Sequence, residues 1–445
     1  MGNLLINKLR HSDNVIFNDW VFPVILSVLV IYYVSYLGKA PFSGLILLSL
    51  ILFFTVLRPF FSPVFLMSLI PLNGLQVLPI SAPFLLFCIL VYLFGMLIRS
   101  LLTRGTTMFL QHRIVYVFFA FSIYTLMSFL FSGNFHLSAH WLAFLMSLVG
   151  AFFLVQNLTF RQDLLPQIVL VMSLLSLAIV WMPILHVGNS FSGRLTVIGN
   201  VRGAANVLGF LSVLLFSFLL FKRYALSKWI GYLFFVLALM LLASLFFTQS
   251  RGVIISVFVS LFSGFFVFVI SELLRRPARA RYRGLGLRLI FIGIAVVTLF
   301  NYLGQGFIRR LGWAGDSIDI RVEIWNSAIL QMTLLQHFFG AGIASFRDLA
   351  LRSGYDFYAH SLYVDTYVSL GMSGFLFLIL IFSYIFIRAV LLGAHITFTT
   401  FLFIVFAFYS HGALNSIPFI LMFAFLIFLF RIETKKSPKR IAPES

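Results

Sequence analysis

The chain has 445 residues, 62% of them hydrophobic and 10% charged, with a formal net charge of +19. That balance excludes a soluble globular domain, and basic residues set in short loops with no reader module exclude nucleic acid as a partner. The single cysteine, Cys88, lies in an apolar run and leaves no disulfide framework and no cysteine metal site.

Apolar runs recur at about the 18–20 residues that a helix needs to cross the hydrocarbon. Candidate spans fall near 21–37, 42–57, 62–79, 83–102, 113–131, 139–158, 165–185, 204–222, 229–247, 252–271, 287–303, 361–388, 396–411 and 415–431. Backbone groups in lipid must bond internally, and the short alternating segments of a β-barrel are missing. The expected fold is therefore all-α, a polytopic integral-membrane bundle of about 12–14 helices. It is read as a single membrane domain, 1–445, with a basic tail at 432–445. The run 62–79, with Pro63, Pro71, Asn73, Gly74 and Pro79, reads as a broken or re-entrant pair. Residues 1–20 are polar and include Asp13 and Asp19, so no cleavable signal peptide is expected.

The basic clusters order these spans. Arg99, Arg104 and Arg113 form one, Lys222, Arg223 and Lys228 a second, and Arg275 to Arg288 a third. The tail, with Arg431, Lys435, Lys436, Lys439 and Arg440, is the fourth. With fourteen spans all four share a side with Lys8 and Arg10, and the positive-inside rule makes that side cytoplasmic. Both termini are then cytoplasmic, and the long loop at 304–359 faces outward. Most of the excess charge is explained by this anchoring and by attraction to anionic membrane lipid. What remains is a set of outward arginines, among them Arg194, Arg202, Arg251, Arg321 and Arg347, which ask for a bound anion or an acid partner.

Four stretches carry candidate chemistry. SGRLTVIGNVRGAANVLG, 192–209, places Arg194 and Arg202 in a Gly- and Asn-rich turn before a span. TQSRG, 248–252, puts Arg251 at a helix boundary. In RVEIW, 321–325, Arg321 and Trp325 share a helix face at i,i+4 spacing. AHSLY places His360 at the start of a span, where a helix would line up His360, Tyr363 and Tyr367 with Asp365 turned away. Snorkelling explains one such arginine, but several on the same side form a permanent cationic site whose guanidinium forks match phosphate oxygens. His360, with an ordinary pKa near 6.5, is the expected general base, and neighbouring arginines would keep it neutral. A histidine hydrogen-bonded in a wet vestibule is the bland alternative, and His411 is a weaker rival.

The acids Asp316, Asp319 and Glu323 interleave with Arg310 and Arg321, so salt bridging within the outer loop is expected rather than metal binding. Metal-independent chemistry with no cofactor is the expectation. Trp313, Trp325, Tyr355 and Tyr358 in the same loop suit either stacking on sugar rings or anchoring at the interface.

Taken in order, Arg194 in GRLTVIGN, Asn206, SRG at 250–252, Arg321 with Trp325, GAG at 340–342, His360, and LG..G at 370–374 resemble the O-antigen ligase and polymerase superfamily of bacterial envelopes. The likeness covers roughly 190–375 and departs at Ser361, where members often carry Asn. The resemblance implies a donor glycan on undecaprenyl pyrophosphate, bound by Arg194, Arg251 and Arg321, with Arg202 a looser member of that set; Trp325 and Tyr363 are read from their positions as further substrate contacts. It implies inverting transfer on the periplasmic face of the inner membrane, with His360 activating the acceptor hydroxyl. The acceptor is lipid A–core for a ligase, the favoured expectation, or another lipid-linked repeat for a polymerase. A transporter or flippase of lipid-linked oligosaccharide is the rival from another class, and its expected repeat symmetry is not evident.

Overall fold

The computed structural model describes residues 164–187, 201–221, 228–248, 250–275, 314–343, 345–411 and 417–435, with scattered positions between 49 and 128 and residue 293. Among the described residues the chain is helical and has no strand, as the composition predicts. The helices are α1 Leu164–Val187, α2 Val201–Phe221, α3 Lys228–Thr248, α4 Arg251–Arg275, α5 Ala314–Leu330, α6 Leu334–Phe339, α7 Phe346–Arg352, α8 Leu362–Leu391, α9 His395–His411 and α10 Ile417–Lys435. Seven of them coincide with predicted spans. The spans proposed before residue 160 and at 287–303 lie outside the described residues, apart from the scattered positions.

α2 is the central post, packed by α1, α3, α4, α9 and α10. Its apolar window is 94% buried, against 44% for α3 and 33% for α4 and α8, which keep faces for lipid. Gly209 lets the neighbours close in, since a Cβ there would lie 2.7 Å from Val253 and 2.9 Å from Phe403. Hydroxyls inside these helices bond their own backbone, as Ser173 does to Val169 and Ser212 to Leu208. That is how polar side chains are carried inside an apolar helix.

Cross-contacts fix the directions. Phe221 and Phe268 both pack on His395, at the end of α2, the end of α4 and the start of α9. Trp181 near the end of α1 donates to Ser244 near the end of α3, at 3.0 Å. The starts of α2 and α4 and the ends of α1, α3 and α9 therefore share one end of the bundle.

α8 is two helices joined at a corner. Phe382 packs edge to face on Phe401 of α9, while the Tyr363 hydroxyl donates to the Val405 carbonyl at 3.0 Å. A straight α8 would carry Tyr363 about 28 Å past Phe382, whereas Val405 is only about 6 Å past Phe401. The bend falls at Gly371, whose φ of 69° and ψ of −174° belong to glycine alone. Residues 372–391 run along the bundle, and residues 362–370 lie across its end.

The corner is built from backbone laid on backbone. Ala341 N–H donates to Val368 O at 2.8 Å and Gly342 N–H to Ser369 O at 3.1 Å. Ser128 also donates to Ser369 O, and the Tyr124 hydroxyl donates to Leu370 O at 2.6 Å. The carbonyls released by the broken turn are thereby re-bonded. A Cβ on Gly340 would stand 2.2 Å from Ser369 O, and one on Gly371 would stand 2.3 Å from Phe338 O. The GAG and LG..G motifs are thus two sides of a single contact.

The outer stretch, expected as a long helical loop, folds into α5, α6 and α7, which form a lid. With the crossing half of α8 they close a small second core that includes Ile324, Ala328, Phe346, Leu349, Ala359 and Val368. α6 is started by a capping box in which Thr333 and Gln336 bond each other's backbone N–H.

Candidate functional site

His360 is the most conspicuous backbone position at this end. Its φ is +50°, and among the described residues no other non-glycine has positive φ. An L side chain pays of order 1–2 kcal/mol for that conformation, and such strain gathers where a side chain must be aimed. His360 lies two residues before α8, whose N-cap is Ser361. This corrects the expectation of one helical face for His360, Tyr363 and Tyr367: the imidazole is placed by a left-handed turn, not by the helix. Its ring is partly exposed and stands against Phe357 at 5.1 Å and Tyr358 at 6.2 Å between centroids.

The turn is pinned from the lid. Trp325 Nε1–H donates to the carbonyl of Ala359, the residue before His360, at 2.8 Å. Trp325 thus acts on the histidine's backbone, and Arg321, partly exposed, lies one turn earlier on the same face of α5. A second brace holds residues 355–358. Arg347 forms a fork to Asp356, Nε–Oδ1 2.6 Å and Nη2–Oδ2 3.0 Å, and its guanidinium caps the Tyr358 ring at 5.3 Å. That hydrogen bond and charge hold the Asp356 carboxyl below its ordinary range and raise Arg347 further above its own. The Tyr355 hydroxyl donates to Glu323 at 2.7 Å, which pushes the phenol up. Arg347 therefore has the acid partner expected of some outward arginines, whereas Glu323 meets the Tyr355 hydroxyl where salt bridging was the expectation.

Arg251 is the first residue of α4 and partly exposed, so it stands at the same end of the bundle as His360. Arg202 is the second residue of α2, also at this end. Arg194 lies outside the described residues, in the connection from α1 to α2. Tyr363 is partly buried, and its hydroxyl is spent on Val405 of α9. Tyr367, one turn on, meets His337 of α6, with 2.9 Å between its hydroxyl and Nδ1. The hydroxyls of Ser250 and Ser361, each beside a candidate residue, are buried without a hydrogen-bond partner.

Sequence reasoning missed the His337–Tyr367 contact, the Arg347–Asp356 fork and the Tyr124 and Ser128 bonds to the corner. The first two carried a signal: TLLQ at 333–336 is a capping-box pattern announcing α6, and Arg347 stands close in sequence to Asp356. The Tyr124 and Ser128 bonds cross more than two hundred residues, and nothing local announces them.

In chemical terms this end offers a strained, accessible imidazole, a fixed cation at a helix start, and another cation on a lid helix bonded to the imidazole's own backbone. Such a set suits proton removal from a hydroxyl beside a group of strong negative charge.

Residues 235–379 match the family model described as O-antigen ligase. No curated protein matches the chain. The matched stretch covers the later part of α3, α4, the lid and the corner of α8, and so includes Arg251, Arg321, Trp325 and His360. It supports O-antigen ligase- or polymerase-type function in general, carried by a multi-pass membrane protein. Over this stretch, which spans less than half its length, the chain is similar to the O-antigen ligase family.

Proposed function

We propose that this protein transfers a glycan from undecaprenyl pyrophosphate to a hydroxyl of lipid A–core, at the periplasmic face of the bacterial inner membrane. His360 takes the proton of the acceptor hydroxyl, whose oxygen bonds to the anomeric carbon from the face opposite the leaving group. The bond from that carbon to the pyrophosphate breaks with inversion, and undecaprenyl pyrophosphate leaves with the electron pair. Arg251 and Arg321, joined by Arg194 and Arg202, hold the pyrophosphate and balance the charge that grows as it departs. Trp325 holds the His360 turn at the height of the reacting carbon, and Tyr363 keeps the head of α8 against α9. No metal or cofactor is part of this reading.

The observation that carries the proposal is the strained His360 turn bonded to the helix bearing Arg321, at the bundle end where Arg251 begins its helix. Orientation is supported by the opposite end. Lys228 opens α3 there, Arg275 closes α4, Arg388 lies in the last turn of α8, and Lys435 closes α10. Basic residues collect on the cytoplasmic side, which supports a reading with His360 facing outward and the end of α10 facing inward.

The test is transfer by the purified protein in vesicles, given an undecaprenyl-pyrophosphate-linked glycan and lipid A–core. Glycosylated core and free undecaprenyl pyrophosphate should rise together, and His360→Ala should slow both by roughly 10²–10⁴-fold. Full rate in His360→Ala removes the base assignment. Product on a lipid-linked repeat alone makes the protein a polymerase, and donor crossing the bilayer without release of pyrophosphate makes it a transporter.

A further inference from the structure

The short lid helix α6 is built the wrong way round for water. Leu334, Leu335 and Phe338 share one face and are 75%, 62% and 53% exposed, and Leu330, at the end of α5, is 81% exposed. Its histidine faces the protein, where His337 meets Tyr367, and Gln336 is spent on the capping box with Thr333. A helix on a water-facing surface turns its apolar stripe inward. Each large apolar side chain left in water forgoes the free energy of its burial.

The position of α6 says what covers that face. Beyond Gly371, α8 rises about 30 Å to its end at Leu391, which equals the thickness of the hydrocarbon, about 30 Å. With Arg388 at the far boundary, the Gly371 corner marks the near one. α6 abuts this corner, because the Phe338 carbonyl stands where a Cβ of Gly371 would go. One residue further, α8 begins its own outward apolar row of Met372, Leu376 and Leu380, 44%, 51% and 65% exposed. The apolar face of α6 thus continues, at the depth of the membrane surface, a surface that α8 already presents to lipid.

We infer that α6 is an interfacial membrane anchor: Leu334, Leu335 and Phe338 lie among the acyl chains of the outward leaflet and fix the lid, with the turn bearing His360, at the bilayer surface. The partner is the lipid surface itself. An amphipathic helix lying in the interface sinks its apolar face by roughly 5–10 Å, which the side chains of α6 span. The inference rests on the exposure pattern and the α8 corner and is independent of the reaction proposed above.

The experiment is depth measurement by nitroxide labels on full-length protein in vesicles of phosphatidylethanolamine and phosphatidylglycerol, with Cys88→Ser as background. Labels are attached in Leu335→Cys and, in parallel, Leu334→Cys, so that one poorly folded variant does not decide the result. Leu380→Cys supplies the lipid reference and Asp348→Cys, at an exposed position of α7, the water reference. Collision with oxygen, enriched in the acyl region, should match the Leu380 label, with little collision with a water-soluble nickel chelate. Nickel access equal to that of the Asp348 label overturns the inference. So does an immobilised label shielded from both reagents, which would mean a second copy or another protein covers α6.

Discussion

The two ends of the bundle treat polar groups in opposite ways. At the end bearing Arg388, the Glu433 carboxylate is fully buried and accepts both the N–H and the hydroxyl of Thr397, each at 2.7 Å. His395 beside it lies between Phe221 and Phe268 and reaches Ser271 at 3.3 Å. The acid satisfies orphan donors in the first turn of α9, which is a stabilising use of charge at a helix start. At the other end, His360 is partly exposed in a strained turn and Arg251 starts its helix without closure from solvent. Both ends hold a histidine among aromatic rings, and only one leaves it accessible. Chemistry is expected where polarity is kept open at the cost of strain, and the closed end shows what the same residue types look like when they serve only the fold.

The largest effect should come from the corner that supports the open end. Gly371→Ala needs a backbone reserved for glycine and sets a methyl 2.3 Å from the Phe338 carbonyl. The cost should be about 3 kcal/mol or more, with the lid leaving α8. Limited proteolysis should cut within 314–352 while fragments of α2, α4 and α9 persist. If the Thr397 amide loses hydrogen-exchange protection to the same degree, the two ends are not independent and the comparison fails. Next in size is Glu433→Ala, which strands two buried donors and should cost about 1–3 kcal/mol in thermal stability. Transfer by the folded fraction should be unchanged. A selective loss of turnover would show that the closed end also serves the reaction.

These two positions show what sequence could and could not supply. The spans that fall on described helices from 165 onward were legible because lipid demands uninterrupted apolar helices, a rule that acts locally. Arg251, Arg321, Trp325 and His360 were legible as residue types in polar interruptions, and the structure places Arg251 at the end of the bundle that also carries His360 and its Trp325 contact. The role of Trp325 was not legible: its bond to Ala359 joins residues far apart in sequence, so the i,i+4 reading saw only its nearness to Arg321. Nor was the α8 corner, since 361–388 reads as a single span in hydropathy and Gly371 resembles any glycine in a membrane helix. Its necessity lies in the carbonyl that crosses it. The left-handed turn at His360 was hidden likewise, because histidine carries no signal for positive φ.

A smaller effect separates strain from chemistry at His360. Both His360→Ala and His360→Gly remove the imidazole and should lose transfer equally. Glycine adopts φ +50° without the clash that alanine keeps, so His360→Gly should be the more stable by about 1 kcal/mol. Chemical denaturation in a mild detergent checks this. Equal stabilities would mean the turn is not strained, and the contrast between the ends would rest on exposure alone.

The smallest expected effect concerns the brace that holds the approach to His360. The Arg347–Asp356 fork is exposed, with 43% and 61% of the two side chains accessible, so water and salt weaken it. Its pH dependence still has a definite sign. The fold holds the Asp356 carboxyl below its unfolded value, so the unfolded segment takes up its proton first as pH falls. The brace therefore contributes fully above the ordinary carboxylate range, and its contribution is lost as pH falls through the lowered folded value. Hydrogen exchange at residues 355–358, corrected for the intrinsic pH dependence of exchange, should quicken across that window. Asp356→Asn should make it uniformly faster and flat with pH. The Thr397 amide, closed under Glu433 and far from Asp356, should not respond to this substitution. A response there would mean the exposed brace reaches through the whole bundle, and openness at one end could no longer be treated as a local property.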